Sequence, residues 1–159
     1  MIEIFGNNHL QQYKSLLRES GLPHNDLSDI DWFRLLGVLR QTKLVSAAGL
    51  ERCDQSLLLR SVVTHPKYRG QGLSPQIVFA LHQAAYEAGH QEIWLLTTDA
   101  SDYFIQHHNY VSVDRAEVPR GIETSAEFSM QCPADAVLMR KLLVPMPRRG
   151  REKNLRSRA

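Results

Sequence analysis

The stretch Val62-Val63-Thr64-His65-Pro66-Lys67-Tyr68-Arg69-Gly70-Gln71-Gly72-Leu73-Ser74 decides how this chain is read. It joins an apolar run, residues 57–64, to a segment in which Leu73, Ile77, Leu81, Ala84, Ala85 and Ala88 recur at helical spacing. A strand that enters a helix through a short, basic, glycine-containing loop leaves several backbone N–H groups without intrahelical partners. Those groups face whatever lies outside the helix N-terminus, and an anion suits them. Gly70 and Gly72 let the main chain approach that anion with no side chain in the way, and Arg69 adds a fixed positive charge. The reading is a cradle for a pyrophosphate. Other phosphate loops fit less well. A Walker loop needs Gly, four residues, then Gly-Lys-Ser/Thr, and that spacing does not occur. A dinucleotide fingerprint needs a third small residue where Leu73, Ser74 and Pro75 follow Gly72.

Working outward, residues 1–5 read as a short strand. A helix over 9–20, capped by Asn8, presents Leu10, Tyr13, Leu16 and Leu17 on one face and stops at Gly21 and Pro23. A polar linker, 23–31, leads to strands over 32–38 and 44–51, joined by Arg40-Gln41-Thr42-Lys43. A second turn, Arg52-Cys53-Asp54-Gln55, feeds the strand over 57–64. The helix from Leu73 ends at Gly89. A strand over 92–97, a helix over 101–107, a strand over 110–113, an irregular or partly helical stretch over 118–130 and a last strand over 136–144 complete the chain. This order predicts an α/β fold: a mixed, mostly antiparallel sheet with one parallel β-α-β crossover at the phosphate loop and helices on both faces. The crevice where the two crossover strands diverge is the ligand site.

At 159 residues the chain is one domain, large enough for a core without metal or disulfide staples. No apolar stretch approaches membrane-spanning length, and residues 1–5 lack the basic and apolar regions of a secretory leader. Cys53 and Cys132 are too few and too far apart for a disulfide framework, so a reduced, cytoplasmic protein is expected. Arg148, Arg149, Arg151, Lys153, Arg156 and Arg158 stand against Glu152 in the last twelve residues, so the rest of the chain is mildly acidic. The expected division is a domain over 1–147 and a basic, solvated tail over 148–159. A mildly acidic domain argues against a nucleic-acid partner, and no membrane partner is expected. The seven histidines show no ligand spacing, so no metal is expected.

Arg69-Gly70-Gln71-Gly72-Leu73-Ser74 resembles the acyl-CoA loop of the GNAT-type N-acetyltransferases, with Ser74 where Gly or Ala is usual and Pro75 where an N–H is usual. The element order is similar to theirs too. A narrower resemblance, to the arsenic-resistance-operon branch, runs through residues 16–23, Ala48-Gly49-Leu50-Glu51, residues 59–63 and Leu95-Leu96-Thr97-Thr98. It continues through Asp114-Arg115, Glu127-Phe128, Cys132-Pro133, Ala136 and Met139. The resemblance implies acetyl transfer from acetyl-CoA to the amine of a small, amino-acid-like molecule by direct attack in a ternary complex. A homodimer is left open.

It also implies that the main chain of Val62, Val63 and Thr64 pairs with the pantetheine arm, with the Val63 N–H aimed at the thioester oxygen. Apolar side chains there also suit plain core packing. Arg69, Gly70, Gln71, Gly72, Leu73 and Ser74 then hold the diphosphate. Glu51 is the candidate base, or else a solvent-facing carboxylate at a strand end. Arg60, in an apolar strand, either binds a substrate carboxylate bidentately or pairs with an internal acid. The family's proton-donating tyrosine, five residues before the aromatic of its Gly-aromatic pair, falls on Ile105. Tyr103, two residues earlier, is the candidate acid, with a packed aromatic as the alternative. Cys132 lacks any sequence cue to a lowered pKa, so a covalent route through it is not expected. Two rival functions remain: an acetyl-CoA-binding sensor without turnover, and a protein or peptide N-acetyltransferase.

Overall fold

The computed structural model describes residues 2–131 and 134–145; the tail over 148–159, the expected boundary after 147 and Cys132 lie outside them. Eleven regular elements run β1 (Ile2–Ile4), α1 (Leu10–Glu19), β2 (Trp32–Arg40), β3 (Lys43–Cys53), β4 (Ser56–Thr64), α2 (Leu73–Glu87), β5 (Glu92–Thr97), α3 (Ser101–His108), β6 (Val111–Ser112), α4 (Arg120–Glu123) and β7 (Val137–Leu142). The expected α/β class is observed. A seven-stranded sheet has the order β1-β2-β3-β4-β5-β7-β6, antiparallel throughout except for the β4–β5 pair that α2 connects.

Local signals explain most of this. Gln41 and Thr42 both take positive φ (50° and 69°), the two-residue turn whose twist suits a hairpin between β2 and β3. Helix α1 ends as its glycine predicts. Gly21 (φ 71°) lets its N–H reach Arg18 O at 3.1 Å and the Leu22 N–H reach Leu17 O at 2.9 Å. At the other end the expected cap is not used. Asn8 lies in a 3-10 turn, Asn7–His9, and His9 precedes α1 with no side-chain cap. The last strand, read as closing the sheet, instead inserts between β5 and β6, which leaves β6 a two-residue edge.

Two apolar layers sandwich the central strands. Leu57 and Leu59 of β4 and Ile93 and Leu95 of β5 join Ile77, Leu81 and Ala85 of α2 and Phe104 of α3. On the opposite face Leu58, Trp94 and Leu96 pack with Ile122 of α4, while α1 contributes Tyr13, Leu16 and Leu17 to a neighbouring cluster. Burial on both faces is why 57–63 reads as a nearly continuous apolar run. Helix α4 comes in close because Gly121 lacks a side chain: a Cβ there would lie 2.3 Å from Cys53 O. No helix among the described residues is long and apolar enough to cross a membrane.

One irregularity shapes the functional region. Gly49 pairs with Arg60 and Ala47 with Val63, so Ala48 alone faces both Ser61 and Val62. Ser61 occupies this bulge with φ 58°, a left-handed conformation that costs a non-glycine residue on the order of 1 kcal/mol. The buried Tyr13 hydroxyl donates to Ser61 O at 2.6 Å and holds the bulge in place. An extra residue reverses the alternation of facing. Without it Val63 would share the face of Leu57 and Leu59; with it Val63 packs toward α1, and Val62 turns to the α2 side.

Candidate active site

Strands β4 and β5 stay paired only at Leu58–Trp94 and Leu59–Leu95. Beyond Leu59 the bulge carries β4 away, and a cleft of about 500 Å³ opens between β4, the loop after it, and α3. Val62, Val63, Thr64, Arg69, Gly70, Gly72, Leu73 and Ser74 all line it, together with Tyr103. Gln71 is exposed and is not among them.

After a 3-10 turn, Pro66–Tyr68, the chain passes Gly70 (φ 78°) and Gly72 (φ 75°) before α2 begins. A Cβ on Gly70 would meet no atom within 4 Å, so the glycine serves backbone conformation and leaves open space beside it. The N–H groups of Gly70, Gln71, Gly72, Leu73 and Ser74 meet no acceptor among the described residues; intrahelical bonding starts with Gln76 N–H to Gly72 O at 3.3 Å. Pro75, in the first turn of α2, removes a donor that would have faced the same way. Arg69 Nε donates to Thr64 O at 3.2 Å, which keeps its guanidinium at the mouth of the cleft. The Ser74 hydroxyl hydrogen-bonds Thr64 Oγ1, itself 2.8 Å from Ser46 Oγ, so the residue that departs from the usual Gly or Ala fastens α2 to the end of β4. Amides with no described acceptor, an arginine and two left-handed glycines are the groups here that could hold the diphosphate of a coenzyme A molecule.

A second cavity, about 180 Å³, shares Leu22, Val62, Ala100 and Phe104 with the cleft and continues toward the α1–β2 connection. Arg60, Ser61, Thr97, Asp99 and Glu127 supply its polar lining. Arg60 is 3% exposed. Its Nη2 donates to Asp26 Oδ2 at 2.9 Å and Oδ1 at 3.2 Å, and its Nη1 donates to Glu51 Oε1 at 3.2 Å. Nε donates to Ser61 Oγ at 3.3 Å and lies 3.9 Å from Glu127 Oε2. Burial opposes the guanidinium charge, but Glu127, Asp26 and Glu51 together outweigh it and raise the Arg60 pKa. Of the two partners considered for Arg60, internal acids are what it meets.

Glu51 lies two residues before the end of β3 and is 7% exposed. Burial pushes its carboxyl above the usual range, and Arg60 pulls it partly back. It lines a different hollow, about 330 Å³, with Asp26, Cys53 and Thr124, and is not part of the chamber wall. Burial and the Glu51 carboxylate push the Cys53 thiol up to about 12, so this cysteine stays protonated. The carboxylates that face the chamber are Asp99, just after β5, and Glu127, on a π-helical turn, Glu127–Gln131. Arg115 anchors the turn: its guanidinium lies 4.7 Å over the Phe128 ring and donates to Ala136 O at 2.8 Å. Glu127-Phe128 stood in the sequence as part of a pattern, with nothing local to give Glu127 a role.

Tyr103 lines the cleft and Ile105 does not; Ile105 is 44% exposed. The Tyr103 hydroxyl is 3.1 Å from His108 Nε2, and burial raises its pKa. Behind it His82 Nε2 meets the Tyr110 hydroxyl at 2.8 Å. Burial, with the neighbouring histidine as a lesser cause, lowers the pKa of His82 to about 3 and that of His108 to about 4. Both remain neutral in the fold but take up protons in the unfolded chain near the ordinary value of 6.5. Stability from these groups is therefore complete above about 6.5 and falls as the pH drops toward 4, by up to about 1.4 kcal/mol per pH unit for each histidine. Urea unfolding at pH 7 and pH 5 should show this loss, and His82→Gln should lose less.

The chain matches the model of the acetyltransferase (GNAT) family over residues 7–110, and it belongs to that family. Solved structures agree on the fold. A GNAT-family acetyltransferase of Staphylococcus aureus Mu50 superposes with a TM-score of 0.72 at 14% identity, over 91% of this chain and 99% of that one. A Mycobacterium tuberculosis protein solved with coenzyme A gives 0.72 at 16%, over 91% and 99%. The aminoglycoside 6'-N-acetyltransferase of Enterococcus faecium gives 0.66 at 16%, over 92% and 99%. No curated protein sequence matches the chain.

Proposed function

We propose that this protein transfers the acetyl group of acetyl-CoA to the amine of a small molecule by direct attack within a ternary complex. The observation that carries the reading is the common wall at Val62, where the cleft holding the amide cradle meets a chamber holding a carboxylate. The Gly70–Ser74 amides and Arg69 hold the diphosphate, and the β4 main chain at Val62, Val63 and Thr64 aligns the pantetheine arm. The Val63 N–H stabilises charge on the thioester oxygen. Glu127 takes the proton of the incoming ammonium group. The freed nitrogen lone pair then forms the bond to the acetyl carbon as the carbon–sulfur bond breaks, the sulfur leaving with the electron pair. Tyr103 protonates that sulfur and is reprotonated from solvent, while the protons on Glu127 and on the product nitrogen pass to solvent. Glu51, first considered as the base, acts through Arg60 by neutralising it from behind. Arg60 thereby becomes a structural cation of the chamber wall.

The chamber's size supports a small acceptor over a peptide. The finer reading, an amino-acid-like acceptor and a place in the arsenic-resistance branch, is supported by the motif resemblance alone. Thiol release from acetyl-CoA with a panel of amines tests the proposal. Glu127→Gln should lower kcat/KM about 10²-fold, in the range for loss of a general base. Acetyl-CoA binding without thiol release from any amine would leave the sensor reading in its place.

A further inference from the structure

The charge balance of the chamber constrains what enters it. The Arg60 guanidinium meets Asp26 with one nitrogen, Glu51 with another, and has Glu127 3.9 Å from its third. Its ring-facing side lies 5.9 Å from the centre of Trp32. The edge that could grip a carboxylate is thus already held by protein carboxylates, and the group is 3% exposed. Asp99 adds a further acid to the chamber wall, and among the described residues no other cation lines it. In the wall one positive charge, itself already paired with Asp26 and Glu51, therefore stands against Glu127 and Asp99.

Such a wall attracts an ammonium group and repels a carboxylate carried next to it. An α-amino acid would place its carboxylate one carbon from the reacting nitrogen, among Glu127, Asp99 and an arginine engaged elsewhere. We infer that the acceptor is a small primary amine bearing no carboxylate on the carbon attached to the reacting nitrogen. This rests on the acetyl-transfer reading and narrows its acceptor away from α-amino acids.

The test uses the full chain and matched sets of acceptors: phenethylamine, phenylalanine and phenylalaninamide; tryptamine, tryptophan and tryptophanamide. Thiol release from acetyl-CoA should give each free amine a kcat/KM at least about tenfold above its amino acid, a ratio of the size charge complementarity supplies. The neutral amide should follow the amine, because it matches the acid in size and lacks its charge. An amino acid as good as its amine overturns the inference, and so does an amide as poor as the acid, which would make size the cause. Calorimetric titration of the same compounds into protein loaded with coenzyme A reads acceptor class without turnover. If no compound is acetylated, the transfer reading fails, and the calorimetric ranking still decides the charge preference: amine and amide above acid upholds it, and any other order overturns it.

Discussion

Gly72→Val should all but abolish acetyl-CoA binding while leaving a folded protein. Gly72 sits at φ 75° immediately before α2, a conformation that costs a side-chain-bearing residue about 1–2 kcal/mol and a β-branched one the most. A Cβ at this position meets only the end of the flexible Gln76 side chain, at 3.7 Å, so the fold has room for it. The cradle does not tolerate it. The isopropyl group occupies the space beside the amides, and relief of strain turns them away from the anion. Each hydrogen bond to a charged partner contributes about 1.5–3 kcal/mol, so loss of even one, with the strain, weakens binding about 100-fold. Calorimetry with acetyl-CoA measures this. The urea midpoint should move only by the strain term. Unchanged affinity would remove the diphosphate from the loop.

Arg60→Met should be the most damaging single substitution to stability. It strands the Asp26, Glu51 and Glu127 carboxylates, whose side chains are 16%, 9% and 13% exposed, around an apolar group. Removing one partner from a buried ionic cluster costs about 3–5 kcal/mol. The pH dependence identifies the cause. Without the cation, the Glu51 carboxyl, already held above the usual range by burial, loses the charge that pulls it partly back, so the folded variant binds a proton more readily and regains stability as the pH falls through that raised pKa. The histidine effect is common to both proteins and cancels. The gap between wild type and variant should thus narrow from pH 7 to pH 5 in denaturant unfolding. Adding Asp26→Asn and Glu51→Gln should recover much of the loss at pH 7. A gap independent of pH would mean that Arg60 matters through packing against Trp32.

The elements on either side of the phosphate loop were legible because their determinants are local. Spacing at Leu73, Ile77 and Leu81 specifies the buried face of α2, and Gly21 and Gly89 stop their helices through short-range hydrogen bonds. The loop itself was readable for the same reason, since glycine and helix start are neighbours in the chain. Asn8 misled because a 3-10 turn took the place of a capped start. The position of β7 between β5 and β6 was not readable, because strand order depends on pairings dozens of residues apart.

The two carboxylates considered as proton acceptors show the same division. Glu51 drew attention by lying at a strand end near the loop-bearing strand, yet its side chain turns to a neighbouring hollow and to Arg60. Glu127 sits in a stretch with no clear periodicity and gains its place only because Arg115 and the apolar cluster around Ile122 hold that turn against the sheet. Tyr103 and Ile105 lie two residues apart on α3, and which faces the cleft depends on where Phe104 seats in the core.

By itself, then, the order of residues determined a glycine-containing loop at 69–74, a crossover around it and the helices that flank it, since each depends on groups a few positions apart. Tertiary structure alone decided that Ser61 bulges, that Val62 faces the cleft, and that three carboxylates gather around one arginine. The bulge exists because Tyr13, far away on α1, donates to Ser61 O. The chamber's charge arises because β3, β4, the α1–β2 connection and the turn at Glu127 converge on Arg60. Contacts between distant segments form only when the whole core closes, and no local pattern encodes them.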